Sequence, residues 1–429
     1  MPQTSTPSTP SSRRMHFGRY DYAAFSAFLV YAAGSLAIPI ALVNIADDLH
    51  FPLAEGGLSA GGLLSFARTI PMILTMLICG FLAGHLGKRK SLGLSVAVMS
   101  LGIFLCAFAP QYALLFLALA IAGLGEGIIE GLATPFIQNL HEHDQPGRYI
   151  NFAHGFWSVG VFFTVTIAGL LLTLGVHWRI ILAFIALLGL IPTALFLLPQ
   201  THKNPYPEST EPYHPKTIIN HAKRIVKVPR FWLYFAAMFL AGGGEFGLTF
   251  WAASYIQLNF TTTALAGGLG TTCFAGGMIL GRTGFGFYLK QHQLPNLITI
   301  TAALAVIITL LLPYTNSLLP FMLVLFFAGI AAAPHWPSIQ SYATDRLPHL
   351  NTTMIFILLS CAGIPGCGTV TYLIGYIGSL TGSLHTAFLI IPLCFLIVTL
   401  LIGIDWLFLS PKDLTHRTPE PQIKNPPLA

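Results

Sequence analysis

Charge is what this chain has least of. Only 8% of its 429 residues are Asp, Glu, Lys or Arg, against about 25% in soluble proteins. With 54% hydrophobic residues, it carries more apolar surface than a soluble core takes up, whereas a bilayer accepts it. Cysteine is scarce too. The six (Cys79, Cys106, Cys273, Cys361, Cys367 and Cys394) all stand in apolar runs. They read as small buried hydrophobes, not as a disulfide framework or a metal site. No GxxxxGK[ST] run occurs, and Gly267-Gly268-Leu269-Gly270 lacks the strand–helix context of a nucleotide fingerprint. No enzyme motif, cofactor or resident metal is therefore expected, and nothing points to an ATP-driven pump.

What is present is a series of long apolar runs. About 20 such residues suffice to span a bilayer as a helix. Twelve runs qualify, at about 20–45, 56–83, 91–109, 112–140, 149–174, 179–199, 231–257, 263–289, 294–313, 317–344, 351–379 and 384–409. The fold class is an all-α membrane protein, twelve transmembrane helices in two six-helix bundles. The domain reading is a Pro/Ser/Thr-rich disordered tail over 1–19, a first bundle over 20–199, a linker over 200–230, a second bundle over 231–409 and a tail over 410–429. The halves repeat weakly. Thr134-Pro135-Phe136-Ile137-Gln138 on the fourth run is echoed by Trp336-Pro337-Ser338-Ile339-Gln340 on the tenth. Such repeats mark transporters.

The formal net charge of +6 is topology and not a nucleic-acid surface. With the N-terminus inside, 18 of the 21 Lys and Arg fall on the inner side. Arg179 alone falls outside, and Arg68 and Arg282 lie within helices. Basic residues concentrate in cytoplasmic loops, so the expectation is a multi-pass protein of the plasma (cytoplasmic or inner) membrane with both termini in the cytoplasm.

The stretch Gly123-Leu124-Gly125-Glu126-Gly127-Ile128-Ile129-Glu130-Gly131 sets two carboxylates in an apolar run. Four residues apart, they share one helical face. Intramembrane charges are costly and tend to serve a site. Counted along the runs, Arg68, Glu126 and Glu245 sit near mid-membrane, Glu130 about 6 Å nearer the cytoplasm. Two carboxylates on one face in low dielectric do not both ionise comfortably. The reading is that Arg68 pairs with Glu126 and leaves Glu130 to carry a proton. The alternative is a static cluster tying two helices together. Glu245, beside Gly242, Gly243 and Gly244, has no base near it in sequence and reads as a site residue for proton or solute. Arg282, near the inner end of its run, is expected to snorkel to the headgroups, whereas Asp21 and Asp405 at run ends are expected close to water. Asn151, His154 and Trp157 form one helical stripe. His154 is either a titrating group or a bonded buried ring. Trp157, Trp251 and Trp336 suit stacking on a flat solute or a sugar ring, with Gln138, His335 and Gln340 as donors toward the inner half.

After the second run, Gly80-Phe81-Leu82-Ala83-Gly84-His85-Leu86-Gly87-Lys88-Arg89-Lys90 resembles the loop motif of the major facilitator superfamily, G-x-x-x-[D/G]-[R/K]-x-G-[R/K]-[R/K], with His85 where a strong base is usual. The resemblance assigns gating to Gly80, Gly84, Gly87, Lys88, Arg89 and Arg282. Glu130 with Pro135-Phe136, the Asn151–Gly160 run, Gly244-Glu245-Phe246-Gly247 and Gly281-Arg282 resemble the fucose/proton symporter family. The first run lacks that family's Asn/Asp pair and Thr134 replaces its usual Asn, so the sugar is not inherited. The resemblance implies alternating-access transport of a small polar solute, a sugar first, with a proton, by a monomer in the lipid bilayer. Sodium coupling, efflux of a drug or metabolite, a cationic solute, and a sensor that binds without transporting stay open.

Overall fold

The computed structural model describes residues 15–141, 146–200, 206–207, 215–288 and 291–409. Residues 1–14 and 410–429 of the expected tails, and 201–205 and 208–214 of the expected linker, lie outside these residues. Among the described residues, twelve helices are long and apolar enough to span a membrane. They are α1 Arg19–Asp48, α2 Leu58–Gly80, α3 Lys88–Ala107, α4 Tyr112–Leu140, α5 Phe152–Thr173 and α6 Trp178–Leu197. The second set is α7 Pro229–Asn259, α8 Ala264–Phe285, α9 Leu294–Tyr314, α10 Leu318–Arg346, α11 Met354–Thr381 and α12 Leu384–Phe408. At about 1.5 Å per residue, each meets the ~30 Å of a hydrocarbon core.

Large apolar side chains such as Leu74, Phe163, Ile180, Leu319 and Leu400 are exposed, as a lipid-facing surface requires. The inner faces rely on glycine. A Cβ at Gly123 or Gly127 would fall on the backbone of α2, and one at Gly125 on that of α3. The alternating glycines of the α4 stretch thus seat it between two helices at backbone distance, the close approach that small residues permit in membranes.

Three of these helices are interrupted, α12 among them between Ala387 and Ile390. The tenth run reads as continuous, but α10 is helical over Leu318–Ala332 and again over His335–Arg346. Pro334 stands at the break: it has no N–H to return to the preceding turn, and its ring clashes with the carbonyl four residues back. In α6 the interruption falls at Gly189.

Because the helices alternate in direction, the start of α1, the end of α12 and the linker helix Pro215–Val226 lie at one face, the terminal face. Near it the acids expected close to water are in fact buried. Asp405 is fully buried, receiving Arg230 Nε and Nη2 (2.7 and 2.9 Å) and the hydroxyls of Tyr234 (2.9 Å) and Tyr342 (2.7 Å). Asp21 is buried against His141 Nε2 at 2.6 Å, whose ring stacks on Tyr149. A run's end in sequence is not its end in the bundle when neighbouring helices extend past it.

At the opposite face the two halves meet closely along α2–α11 and α5–α8. Ser59 N donates to Ser379 Oγ at 2.8 Å, and Leu265 N donates to Thr173 Oγ1 at 2.9 Å. A Cβ at Gly375 or Gly268 would meet backbone of the other half. The assembly is closed there and parts toward the terminal face.

Candidate functional site

Between the halves lies a cavity of about 2080 Å³. Met15, Gly80, Lys88, Ile219, Leu294 and Met354 line its mouth at the terminal face. Its volume exceeds the roughly 300–1,000 Å³ of an ordinary ligand pocket, so the site is a part of it, marked by the charged residues.

In the first half, Arg68 on α2 clamps Glu126 on α4 from two nitrogens, Nη2 on Oε1 and Nε on Oε2 at 3.0 Å. Its Nη1 donates to the Gly34 carbonyl (3.2 Å), and Nη2 also reaches Ser35 Oγ (3.3 Å) on α1. The side chains are 10% and 1% exposed, so the pair is neutralised and saturated. One helical turn on, Glu130 points into the same cavity and makes no hydrogen bond or ion pair among the described residues.

In the second half, Glu245 is paired, contrary to the sequence reading. Arg282 Nη2 donates to its Oε1 at 2.9 Å, and the side chains are 31% and 13% exposed. Arg282 therefore does not snorkel outward. Its Nε donates to the Ala333 carbonyl at 3.3 Å. In a continuous helix that carbonyl would accept from the N–H of residue 337, which is Pro337 and has none. The second proline of the α10 break leaves an acceptor free, and the arginine takes it.

Around these groups the cavity is aromatic. Phe28, Tyr31, Phe156, Trp157, Phe246, Phe250 and Trp336 line it from both halves. Of these only Trp157 and Trp336 carried a sequence signal. A phenylalanine in an apolar run gives no sign of facing a cavity. His154 Nε2 lies 2.9 Å from Thr134 Oγ1, with its ring tilted against Phe28. Gln340 donates to Ser360 Oγ at 3.1 Å, and Gln138 is exposed near the mouth. The Asn151 side chain lies outside the described residues.

Two proposed solute contacts are corrected. Trp251 is fully buried between α7 and α11, its Nε1 donating to the Thr371 carbonyl at 2.9 Å. Six residues beyond Glu245 is about 240° round the helix, away from the cavity. His335 is buried in the second half, Nε2 3.1 Å from Thr301 Oγ1 and its ring against Phe395. One residue from Trp336, it points about 100° away.

The loop motif divides in the same way. Gly80 and Lys88 line the mouth, Gly84 is exposed, and Gly87 takes φ +80° to turn α2 into α3, a conformation glycine adopts without strain. Arg89 is buried, with Nη1 on the Phe196 carbonyl, and ties α3 to the end of α6.

Two six-helix halves around a central cavity, with this loop after the second helix, agree with the sequence profile of the Major Facilitator Superfamily, which matches residues 23–370. The chain belongs to the Major Facilitator Superfamily. As a member it is a multi-pass membrane transporter and not an enzyme. Among its relatives, protein TsgA of Salmonella paratyphi B is 24% identical over 343 residues, 79% of this chain and 83% of that protein. Among solved structures, the fucose:proton symporter FucP of E. coli is 18% identical, with a TM-score of 0.61, covering 90% of this chain and 99% of that one. The nucleoside transporter NupG gives 0.74 at 14% identity, covering 90% and 98%. A D-xylose-proton symporter gives 0.71 at 14%, covering 91% and 97%. At these identities the structural likeness is one of fold.

Proposed function

We propose that this protein is a proton-coupled symporter that moves a small polar solute, with a sugar as the first candidate, by alternating access. The observation that carries the reading is Glu130. It is the one acid among the cavity's three, Glu126, Glu130 and Glu245, without a partner among the described residues, and it stands one turn from a neutralised Arg68–Glu126 pair. A carboxylate that is neither clamped nor fully solvated takes up and gives up a proton at modest cost. When the cavity changes the side it opens to, that proton crosses.

The excess of Lys and Arg near the terminal face makes that face cytoplasmic, in the plasma or inner membrane, and the conformation described is then open inward. The halves over 20–199 and 231–409 rock as bodies joined by 200–230. Each chain encloses its own cavity, so a monomer suffices. Glu245–Arg282 and Gln340 offer acceptors and donors for hydroxyls, and Trp157 and Trp336 offer flat faces for a ring. The solutes of two structural neighbours, fucose and D-xylose, head the panel to try.

The test is uptake into proteoliposomes under an imposed pH gradient across a sugar panel. Accumulation with alkalinisation of the external medium supports the proposal, and Glu130→Gln is expected to abolish gradient-driven uptake while sparing exchange of internal for external solute. Full gradient-driven uptake by Glu130→Gln removes Glu130 from coupling. Dependence on sodium with no response to pH replaces the ion, solute-driven release replaces the direction, and saturable binding without flux makes the protein a sensor.

A further inference from the structure

The linker helix Pro215–Val226 plays no part in the transport reading, and its two faces differ sharply. One face packs on α7 and α11. On it Ile225 is fully buried in the same core as Phe231, Tyr234 and Ile355, and Ala222 borders the cavity mouth, as does Ile219, half exposed on the flank between the two faces. The other face carries Lys223 and Arg224, and Lys227 follows on the next residue in the same register. At about 100° per residue the three fall within roughly 100° of arc, opposite Ile225. All three are exposed, and none has a hydrogen-bond or ion-pair partner among the described residues. No Asp or Glu occurs between Glu211 and Glu245, so the sequence around them supplies no counter-charge.

The level of this face follows from its neighbours. Arg230, three residues past Lys227, is bonded to Asp405 near the end of α12. Trp232 donates Nε1 to the Val226 carbonyl at 2.9 Å, capping the linker helix, while its indole remains 49% exposed. Phe408, three residues beyond Asp405, is 78% exposed. Exposed tryptophan beside exposed aliphatic and aromatic side chains marks the depth of lipid headgroups. A basic helical face at that depth meets phosphates, not bulk water.

We propose that Lys223, Arg224 and Lys227 form a binding surface for anionic lipid headgroups, with Trp232 as its inner edge where headgroups meet acyl chains. The three cations supply the charge complement that the chain itself withholds. Each cation near an anionic surface adds to the attraction, which fades over a Debye length. Phosphatidylglycerol is therefore enriched at this spot over a zwitterionic lipid, and the enrichment weakens with salt. The bound lipid pins the linker helix, and through Ile219 the rim of the cavity, to one leaflet.

Trp232 is a built-in reporter. The full chain is reconstituted in phosphatidylcholine vesicles containing either dibrominated phosphatidylglycerol or dibrominated phosphatidylcholine at equal mole fraction. The quenching that disappears in Trp232→Phe is assigned to this site. Half-quenching is expected at a roughly tenfold lower fraction of the anionic lipid. The preference is expected to vanish in the triple variant K223Q, R224Q and K227Q, and to persist in the charge-keeping variant K223R, R224K and K227R. Equal quenching by both lipids in the wild type overturns the proposal. So does a preference that survives in the glutamine variant. Loss of preference on adding inorganic phosphate, where chloride at equal ionic strength has no effect, assigns the surface to free phosphate instead and also overturns it.

Discussion

The two halves hold their cavity charges in opposite ways. In the first, Arg68 is the shared donor of three helices, bonded to Glu126 on α4 and to Gly34 and Ser35 on α1, and the pair is nearly sealed from water. A second acid, Glu130, is left over. In the second half the charges balance, Glu245 with Arg282, but the arginine is 31% exposed and its other contact is a single carbonyl. The first half thus combines a fixed pair with a free acid, and the second has one pair that can open. The proposed proton coupling calls for a scaffold that survives the conformational change and for an acid free to respond to it. In that proposal the two stand one helical turn apart, on α4. The α4 glycines make this possible, since Gly123 and Gly127 bring α2 to backbone distance and so set Arg68 level with Glu126.

The sharpest break in the comparison is removal of each arginine. Arg68→Gln leaves Glu126 buried without its counter-charge, and is expected to cost about 3–5 kcal/mol, the loss seen when one partner of a buried pair is removed. Arg282→Gln strips a pair that water already reaches, and about 1 kcal/mol is expected after allowing for screening. Thermal unfolding in detergent, read by intrinsic fluorescence, compares the two. The double change Arg68→Met with Glu126→Leu is expected to recover most of the loss, because no lone charge remains. Equal shifts for the two arginine variants would mean that the halves are not different in kind.

The acids sharpen it further. Glu130→Gln orphans no partner, so its midpoint is expected to stay within about 0.5 kcal/mol of wild type. Glu245→Gln keeps an acceptor for Arg282 but gives up the charge-assisted bond, at about 1 kcal/mol. A strongly destabilised Glu130→Gln in the same unfolding assay would show that Glu130 belongs to the scaffold after all.

How much of this stood in the sequence depended on what kind of contact carried it. The twelve spans were legible because a bilayer demands a fixed length of apolar residues. The Arg68–Glu126 pair was legible because both residues lie at one depth on helices of the same direction. Glu245–Arg282 was not, since counting residues along α8 puts Arg282 near an end, and only the packing of α10 against it shows where its guanidinium turns. Trp251 and His335 were misassigned for a simpler reason. They are near cavity residues in sequence but out of phase with them on the helix. Asp405 was read as solvated from its place at a run's end, yet Arg230, Tyr234 and Tyr342 from two other helices enclose it. The aromatic lining left no trace, because Phe28 or Phe250 facing a cavity looks no different in sequence from one facing lipid.

The smallest expected effect tests how Arg282 is held. Pro337 is in the first turn of the second α10 segment, where proline is tolerated, so Pro337→Ala is expected to move stability by no more than about 1 kcal/mol. It does, however, restore an N–H that competes with Arg282 Nε for the Ala333 carbonyl. Arg282→Lys has a matching deficit, since an ammonium cannot reproduce the fork that spans Glu245 and Ala333 at once. If the carbonyl left free by Pro337 orients Arg282, the lysine substitution costs less in the Pro337→Ala background than in the wild type. The expected coupling is about 0.5–1 kcal/mol, the range for residues sharing a partner. Strict additivity in that cycle would mean the carbonyl is a bystander, and that Glu245 alone sets where the arginine points.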